Sequence, residues 1–273
     1  SENPVWIVIW NGNMFACYAK GRGKTKEKKN MGFSDLFTTK HPIVGMLHLL
    51  PLPGSPRYRG DINAIYEQVE WEASVLYKAG VDALIVENLG DEPYLVGEPT
   101  PEQLALMAGV TRLVSRNTGI PIGVNVQFNA WQAELAIAYT CGAQFVRVEV
   151  FVDTVISAQG IVSPCSAQIT RYRHSLNAEG IQLWADIQTK YTTNIVPKAL
   201  IQSAKDAQNA GADALIVTGA ATGEVTPLEA VAEVKKVVSL PVLVGSGTNI
   251  ENVSQVLQIA DGAIVGSSLK EAG

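Results

Sequence analysis

From residue 42 onward the chain repeats one rhythm. A short run rich in β-branched residues gives way to a polar or glycine-rich stretch, and then to a segment of helical period. The runs are 43–49, 83–87, 122–127, 145–150, 181–187, 214–218, 242–245 and 263–266. Each is nearly all apolar, as a strand covered on both faces requires. Eight strand–helix alternations predict one closed parallel (β/α)8 barrel of the TIM type over residues 31–273. Helix starts are marked at Thr100-Pro101-Glu102-Gln103, Thr226-Pro227-Leu228-Glu229 and Ser163-Pro164, where a hydroxyl precedes a proline of the first turn. Gly80, Gly119, Gly142, Gly180 and Gly211 stand where helices must stop.

Two echoes reinforce the barrel. Residues 79–86 (Ala-Gly-Val-Asp-Ala-Leu-Ile-Val) return as 210–217 (Ala-Gly-Ala-Asp-Ala-Leu-Ile-Val), and 120–124 return as 240–244. Both lie four strands apart, as a doubled half-barrel gives. Asp82 and Asp213 fall at strand starts and read as structural. After the eighth run only seven residues remain, Ser267 to Gly273. The expectation is a truncated eighth helix, with apolar sides of the first and eighth strands left exposed.

The charge is uneven. The whole chain sums to −5, yet residues 20–29 hold six basic side chains and one acidic one, behind an apolar patch from Trp6 to Trp10. That order is the reverse of a secretory signal. Residues 1–30 are therefore expected to be an extension ahead of a start at Met31, disordered or not native, with contact to an anionic membrane surface as the functional alternative. The acidic remainder argues against nucleic acid as partner. No apolar run approaches the roughly 20 residues that span a bilayer. Cys17, Cys141 and Cys165 show no metal-like spacing and read as thiols of a reducing compartment. Gly23-Lys24-Thr25 mimics the end of a P-loop, but Tyr18 replaces its first glycine and no strand–helix frame surrounds it. Trp71, Trp131 and Trp184 read as packing residues.

Function in such barrels sits at the strand C-termini. There the chain places His48, Glu87, Asn88, Asn125, Gln127, Arg147, Glu149, Asp186, Gln188 and Thr218. Alternate positions point inward, so only part of this ring can face the mouth. Glu87 and Asp186 are the candidate acid–base pair and His48 a group that titrates near neutrality. One carboxylate near Trp184 would hold a proton; the other, beside Arg147 or His48, would stay ionised. The strongest local signal is a phosphate-binding corner: Gly219 and Gly223 after strand six, Gly245-Ser246-Gly247 after strand seven, and Gly266-Ser267-Ser268 after strand eight. Glycines admit an anion to free backbone N–H groups, aided by a following helix. With no basic side chain in these loops before Lys270, backbone donors are expected to bind it. No spacing identifies a metal site, and no cofactor can be named.

Residues 41–56, from His41-Pro42-Ile43 through Gly54-Ser55-Pro56, resemble the opening signature of the BtpA family. The resemblance continues through 80–88, 121–126, 145–148, Ala185-Asp186, 221–223, 245–247 and 261–270, and spans about residues 33–270. It implies a TIM barrel. It further implies a photosystem I biogenesis or stability factor, peripheral on the cytoplasmic side of the thylakoid membrane, with that surface or reaction-centre proteins as partner. Other members resemble enzymes of unassigned substrate, which with the glycine corner implies instead a cytoplasmic enzyme on a phosphorylated small molecule, as a homo-oligomer. The chain departs from the family at both ends.

Overall fold

The computed structural model describes residues 5–10, 13–18 and 32–270. The chain divides into two compact units, residues 1–30 and 31–273. In the first, β1 (Val5–Trp10) and β2 (Asn13–Tyr18) pair antiparallel. The basic run 20–29 and the P-loop mimic lie outside the described residues.

The second unit opens with a short helix, α1 (Phe33–Leu36). It continues through β3 (Ile43–His48), α2 (Ile62–Ala79), β4 (Ala83–Glu87), α3 (Pro101–Thr118), β5 (Ile122–Asn125), α4 (Trp131–Cys141) and β6 (Phe145–Val148). A hairpin of β7 (Val155–Ser157) and β8 (Gly160–Val162) precedes α5 (Ser166–Ser175) and β9 (Gln182–Asp186). After β10 (Thr193–Asn194) come α6 (Leu200–Asn209), β11 (Ala214–Val217), α7 (Leu228–Lys235), β12 (Val242–Val244), α8 (Val253–Ile259) and β13 (Gly262–Val265). Strands β3, β4, β5, β6, β9, β11, β12 and β13 close into a parallel barrel in that order. Every strand run read from the sequence is a barrel strand. The small antiparallel sheet β10-β7-β8 was not legible, because its strands are two or three residues long.

Alternate side chains fill the barrel. Val44, Met46, Ala83, Ile85, Phe145, Trp184, Ala214, Ile216, Leu243 and Ile264 form its buried interior. Phe145 stacks on Trp184 at 3.8 Å, in space left by Gly123, where a Cβ would fall on the Phe145 ring. Phe33, Leu36 and Phe37 pack on this interior from the strand-start end, with Phe33 5.5 Å from Trp184. Trp184 is thus core, as expected, while Trp71 is exposed.

The echoed aspartates tie the lower ends of strands. Asp82 Oδ2 accepts from Ile43 N (2.8 Å), Asp213 Oδ2 from Leu183 N (2.8 Å) and Asp261 Oδ2 from Val242 N (2.9 Å). Each satisfies a strand-start donor that has no ladder partner, the structural role assigned from the echo to Asp82 and Asp213.

Thr100 caps α3 with the reciprocal Gln103 contact, and Gly80, Gly119 and Gly142 end their helices in the left-handed region. Four readings need correction. Thr226 does not cap α7; its hydroxyl donates to the Ser246 carbonyl at 3.0 Å, a tertiary partner outcompeting the local one. α5 starts at Ser166, three residues past the Ser163 expected to cap it, after Cys165. α5 stops at Leu176 rather than at Gly180, whereas α6 ends at its cap Ala210 with Gly211 (φ 93°) next to it in the left-handed region. The apolar sides of the first and eighth strands are not exposed: Leu47 and Val265 are buried. Gly45 lets Leu76 of α2 close over β3, and Lys270, beyond the Ser267–Leu269 turn, pairs with Glu72 of α2 at 3.1 Å.

Candidate functional site

Four of the ring residues lie in one tier because strand register aligns them. His48 is opposite Glu87 across β3 and β4, and Glu87 is opposite Asn125 across β4 and β5. Arg147 stands opposite Trp184 across β6 and β9, so Asp186 lies two residues further up, within the guanidinium's reach. Two pairs result. His48 Nε2 meets Glu87 Oε2 at 3.2 Å, while Glu87 Oε1 accepts from Gln127 Nε2 at 2.7 Å. Arg147 donates from Nε and Nη2 to the two oxygens of Asp186, each at 3.0 Å. Thr189 Oγ1 also donates to Asp186 Oδ2 at 3.2 Å.

Burial pushes the Glu87 carboxyl up, but the His48 hydrogen bond and the positive charges of His48, Arg147 and Lys190 outweigh it and hold Glu87 at about 2. Glu87 is a fixed carboxylate at neutral pH. The proton-holding group is Glu149. Burial, with the charges of Asp186 and Glu87, pushes its carboxyl up to about 8, against hydrogen bonding from Asn125. Below it the Glu134 carboxyl of α4 is also pushed up, first by burial and then by Glu149. Asn125 Nδ2 links the two, at 2.9 Å from Glu149 Oε1 and 3.3 Å from Glu134 Oε1, while Glu134 Oε2 is buried without a partner.

This pair gives stability a definite pH dependence. A carboxyl raised on folding binds more protons folded than unfolded between its two pKa values, so stability is full below about pH 4.5 and falls as pH rises toward 8. Glu149→Gln cannot ionise and keeps the shape. Urea titrations from pH 5 to 8.5 should show this decline in the wild type and a shallower one in Glu149→Gln. Equal slopes would exclude the shared proton.

At the corner, Gly219 N donates to Ser246 Oγ at 2.8 Å, and Ser246 Oγ donates to Glu224 O at 3.2 Å. Ser268 Oγ donates to Thr248 O at 2.7 Å, and Asn252 Nδ2 to Gly247 O at 2.7 Å. The loops after β11, β12 and β13 are thus knitted into one wall. Gly247 has φ 71°, and a Cβ there would fall on the Glu224 carbonyl oxygen. The N–H groups of Gly223, Gly247, Thr248 and Ser267 find no acceptor among the described residues, and the buried Thr248 hydroxyl has no partner. The following helix, α8, begins only at Val253, six residues past Gly247, so the loop's own donors make the corner.

Two cavities open at the mouth. One, of about 280 Å³, is bounded by Gly223, residues 245–249 and residues 266–268. The other, of about 650 Å³, is walled by Leu49, Leu50, Leu89, Tyr94, Phe128 and Tyr191, with Glu149 and Asp186 at its floor. His48, Glu87, Arg147, Lys190 and Thr222 border both.

Residues 39–273 match the BtpA family. The chain belongs to the BtpA family. A Caenorhabditis elegans mitochondrial protein, uncharacterized, is 40% identical over 248 residues, covering 88% of this chain and 89% of the relative. An uncharacterized Pyrococcus abyssi protein is 39% identical, covering 85% and 88%. The Synechocystis photosystem I biogenesis protein BtpA is 35% identical, covering 89% and 85%. Among solved structures, a putative phosphonomutase from Burkholderia cenocepacia superposes with TM-score 0.57 at 17% identity, covering 87% of this chain and 91% of its own. Tryptophan synthase from M. tuberculosis gives 0.54 at 17%, covering 84% of each. These last two show the fold alone. No helix among the described residues is long and apolar enough to cross a membrane.

In this BtpA-family barrel the structure brings His48, Glu87, Arg147, Asp186 and Glu149 to the mouth, and Gly223, Gly245, Ser246, Gly247, Gly266, Ser267 and Ser268 to one cavity. Gly219 braces that wall from behind, its own Cβ position taken by Glu224. Asn88 points away, accepting from Gln127 N and donating to Asp91, and Gln188 turns outward to the Lys198 carbonyl. Sequence reasoning missed Lys190. It lies past the end of β9 in no motif, and only its place four residues after Asp186 hinted at the mouth. It brings a cationic side chain to the corner's cavity from outside the three glycine loops.

Proposed function

We propose that this chain is an enzyme that transfers a proton on a phosphorylated small molecule. The observation that carries the reading is the sharing of His48, Glu87, Arg147 and Lys190 by the two cavities. A phosphate in the glycine corner would place the rest of the molecule in the larger cavity, with the join beside the His48–Glu87 pair. Unsatisfied N–H groups supply the anion site. A carboxylate held ionised next to an imidazole is suited to moving a proton. Asp186 serves here by holding Arg147 toward the bound anion.

Calorimetric titration with inorganic phosphate should give saturable binding at millimolar concentration. In Gly247→Val the branched side chain would meet Glu224 and Val225 in a left-handed backbone region, so the loop must open. Phosphate affinity should fall about tenfold or more, a loss of roughly 1.4 kcal/mol, with the circular dichroism spectrum unchanged. An unsaturable wild type, or a variant that binds equally well, would remove the anion site.

The Synechocystis relative supports a second reading: a photosystem I biogenesis factor, peripheral on the cytoplasmic side of the thylakoid membrane, with that surface or reaction-centre proteins as partner. Archaeal and nematode relatives of equal or greater identity favour a chemistry not confined to photosynthesis. Expression of this chain in Synechocystis lacking its own relative tests both. Restored photosystem I by the wild type but not by Glu87→Gln would join the readings. No restoration would discard the second.

A further inference from the structure

Arg147, Lys198, Lys235 and Lys270 each face a carboxylate partner: Asp186, Asp153, Asp261 and Glu72. Lys190 differs. It is half-buried at the meeting point of the two cavities, and it makes no hydrogen bond or ion pair among the described residues. A long cationic side chain so placed is partly desolvated, with no carboxylate in direct contact to offset the loss.

The backbone spends strain to hold it there. Gln188 (φ 52°) and Tyr191 (φ 59°) flank it in the left-handed region, which side-chain-bearing residues rarely adopt. The turn is tied down on both sides. Ile187 N donates to Ile216 O at 3.0 Å, and Tyr191 N to Ala220 O at 3.3 Å. Thr222 N donates to the Tyr191 hydroxyl at 2.8 Å. The anion corner already has its own backbone donors, so this amine is not needed to complete it.

Resting on the phosphate reading above, we infer that Lys190 is a nucleophilic amine that forms an imine with the carbonyl carbon of the bound molecule, which makes the substrates phosphorylated aldehydes or ketones. The nitrogen lone pair attacks the carbonyl carbon, and the C=O π pair moves to oxygen, which ends protonated. The carbinolamine hydroxyl then takes a further proton and leaves as water while the nitrogen lone pair forms the C=N bond, giving the protonated imine. His48 and Glu87 border the same junction and can relay these protons. The protonated imine draws electrons from the neighbouring carbon, whose proton the same pair can then take. Burial first, and the Arg147 charge second, push the Lys190 amine below its ordinary range despite Glu87 and Asp186, which enlarges the free-base fraction that such chemistry needs.

The test is reductive trapping on the intact chain with peptide mapping by mass. Dihydroxyacetone phosphate with borohydride should label Lys190, and dihydroxyacetone should label it at least about tenfold less for want of the anchoring anion. Inorganic phosphate should suppress the labelling. Lys190→Arg should remove the adduct yet still bind phosphate by calorimetry. A second arm does not depend on the ketone chosen: formaldehyde with borohydride at neutral pH should methylate Lys190 ahead of the exposed lysines. The inference is overturned by labelling spread over surface lysines, by phosphate binding without a Lys190 adduct, or by loss of phosphate binding in Lys190→Arg, which would make the amine an anion clamp. Failure of the wild type to bind phosphate, with Lys190 still methylated first, would strike the phosphate reading and leave the reactive amine standing.

Discussion

Asp186→Asn should lower the unfolding free energy by about 3–5 kcal/mol, the range for removing one partner of a buried ion pair. Arg147 and Asp186 are 4% and 2% exposed and meet through two parallel hydrogen bonds, so loss of the carboxylate removes the guanidinium's direct counter-charge where little of it reaches solvent. The asparagine amide keeps one acceptor oxygen but offers an N–H to a group that only donates. In a domain of this size the melting temperature should drop on the order of 10 °C. Removing both charges with Arg147→Met and Asp186→Leu should recover much of the loss, since the uncompensated guanidinium is the main penalty. Urea unfolding of the wild type, both single variants and the double variant measures this directly. A loss below about 1 kcal/mol in Asp186→Asn would mean that the pair is effectively solvated. Asp186 is thereby assigned to positioning Arg147, and any fall in turnover of its variant must be read together with its stability.

Glu87→Gln should lower turnover by about 10²–10⁴-fold, the usual effect of disabling an acid–base pair, here by leaving the His48 imidazole without its carboxylate. The substitution keeps the side-chain shape, but it removes the charge that the His48 imidazole faces at 3.2 Å. It also carries a stability signature. A carboxyl held near 2 when folded, against 4.5 when unfolded, contributes stability that is present above about pH 4.5 and lost as pH falls toward 2. That shift corresponds to roughly 3 kcal/mol. Glu87→Gln should therefore lie below the wild type at pH 7 and converge with it in acid, and rates should be compared at a temperature where both are folded. Turnover within twofold of the wild type would release Glu87 from the chemistry. A stability gap that persists unchanged at pH 2 would show that its contribution is packing rather than charge.

The barrel itself was legible from residue order because its signals are local. Eight apolar runs, the Thr100–Gln103 capping box and the strand-start aspartates each act over a few positions or recur at fixed offsets. The family resemblance ran through the same runs, and the glycine corner could be read because each loop follows its strand directly. Pairing was different. Glu87 chose His48, and Asp186 chose Arg147, each across 39 residues of sequence. The register of neighbouring strands decides that choice, and residue order does not state it. The proton fell to Glu149 because burial, with the charges of Asp186 and Glu87 beside it, acts on it from several strands at once, an enclosure that exists only once the barrel closes. Lys190 stayed hidden for the same reason: its meaning lies in having no ion-pair partner among the described residues, and only the folded neighbourhood shows which carboxylates are already taken.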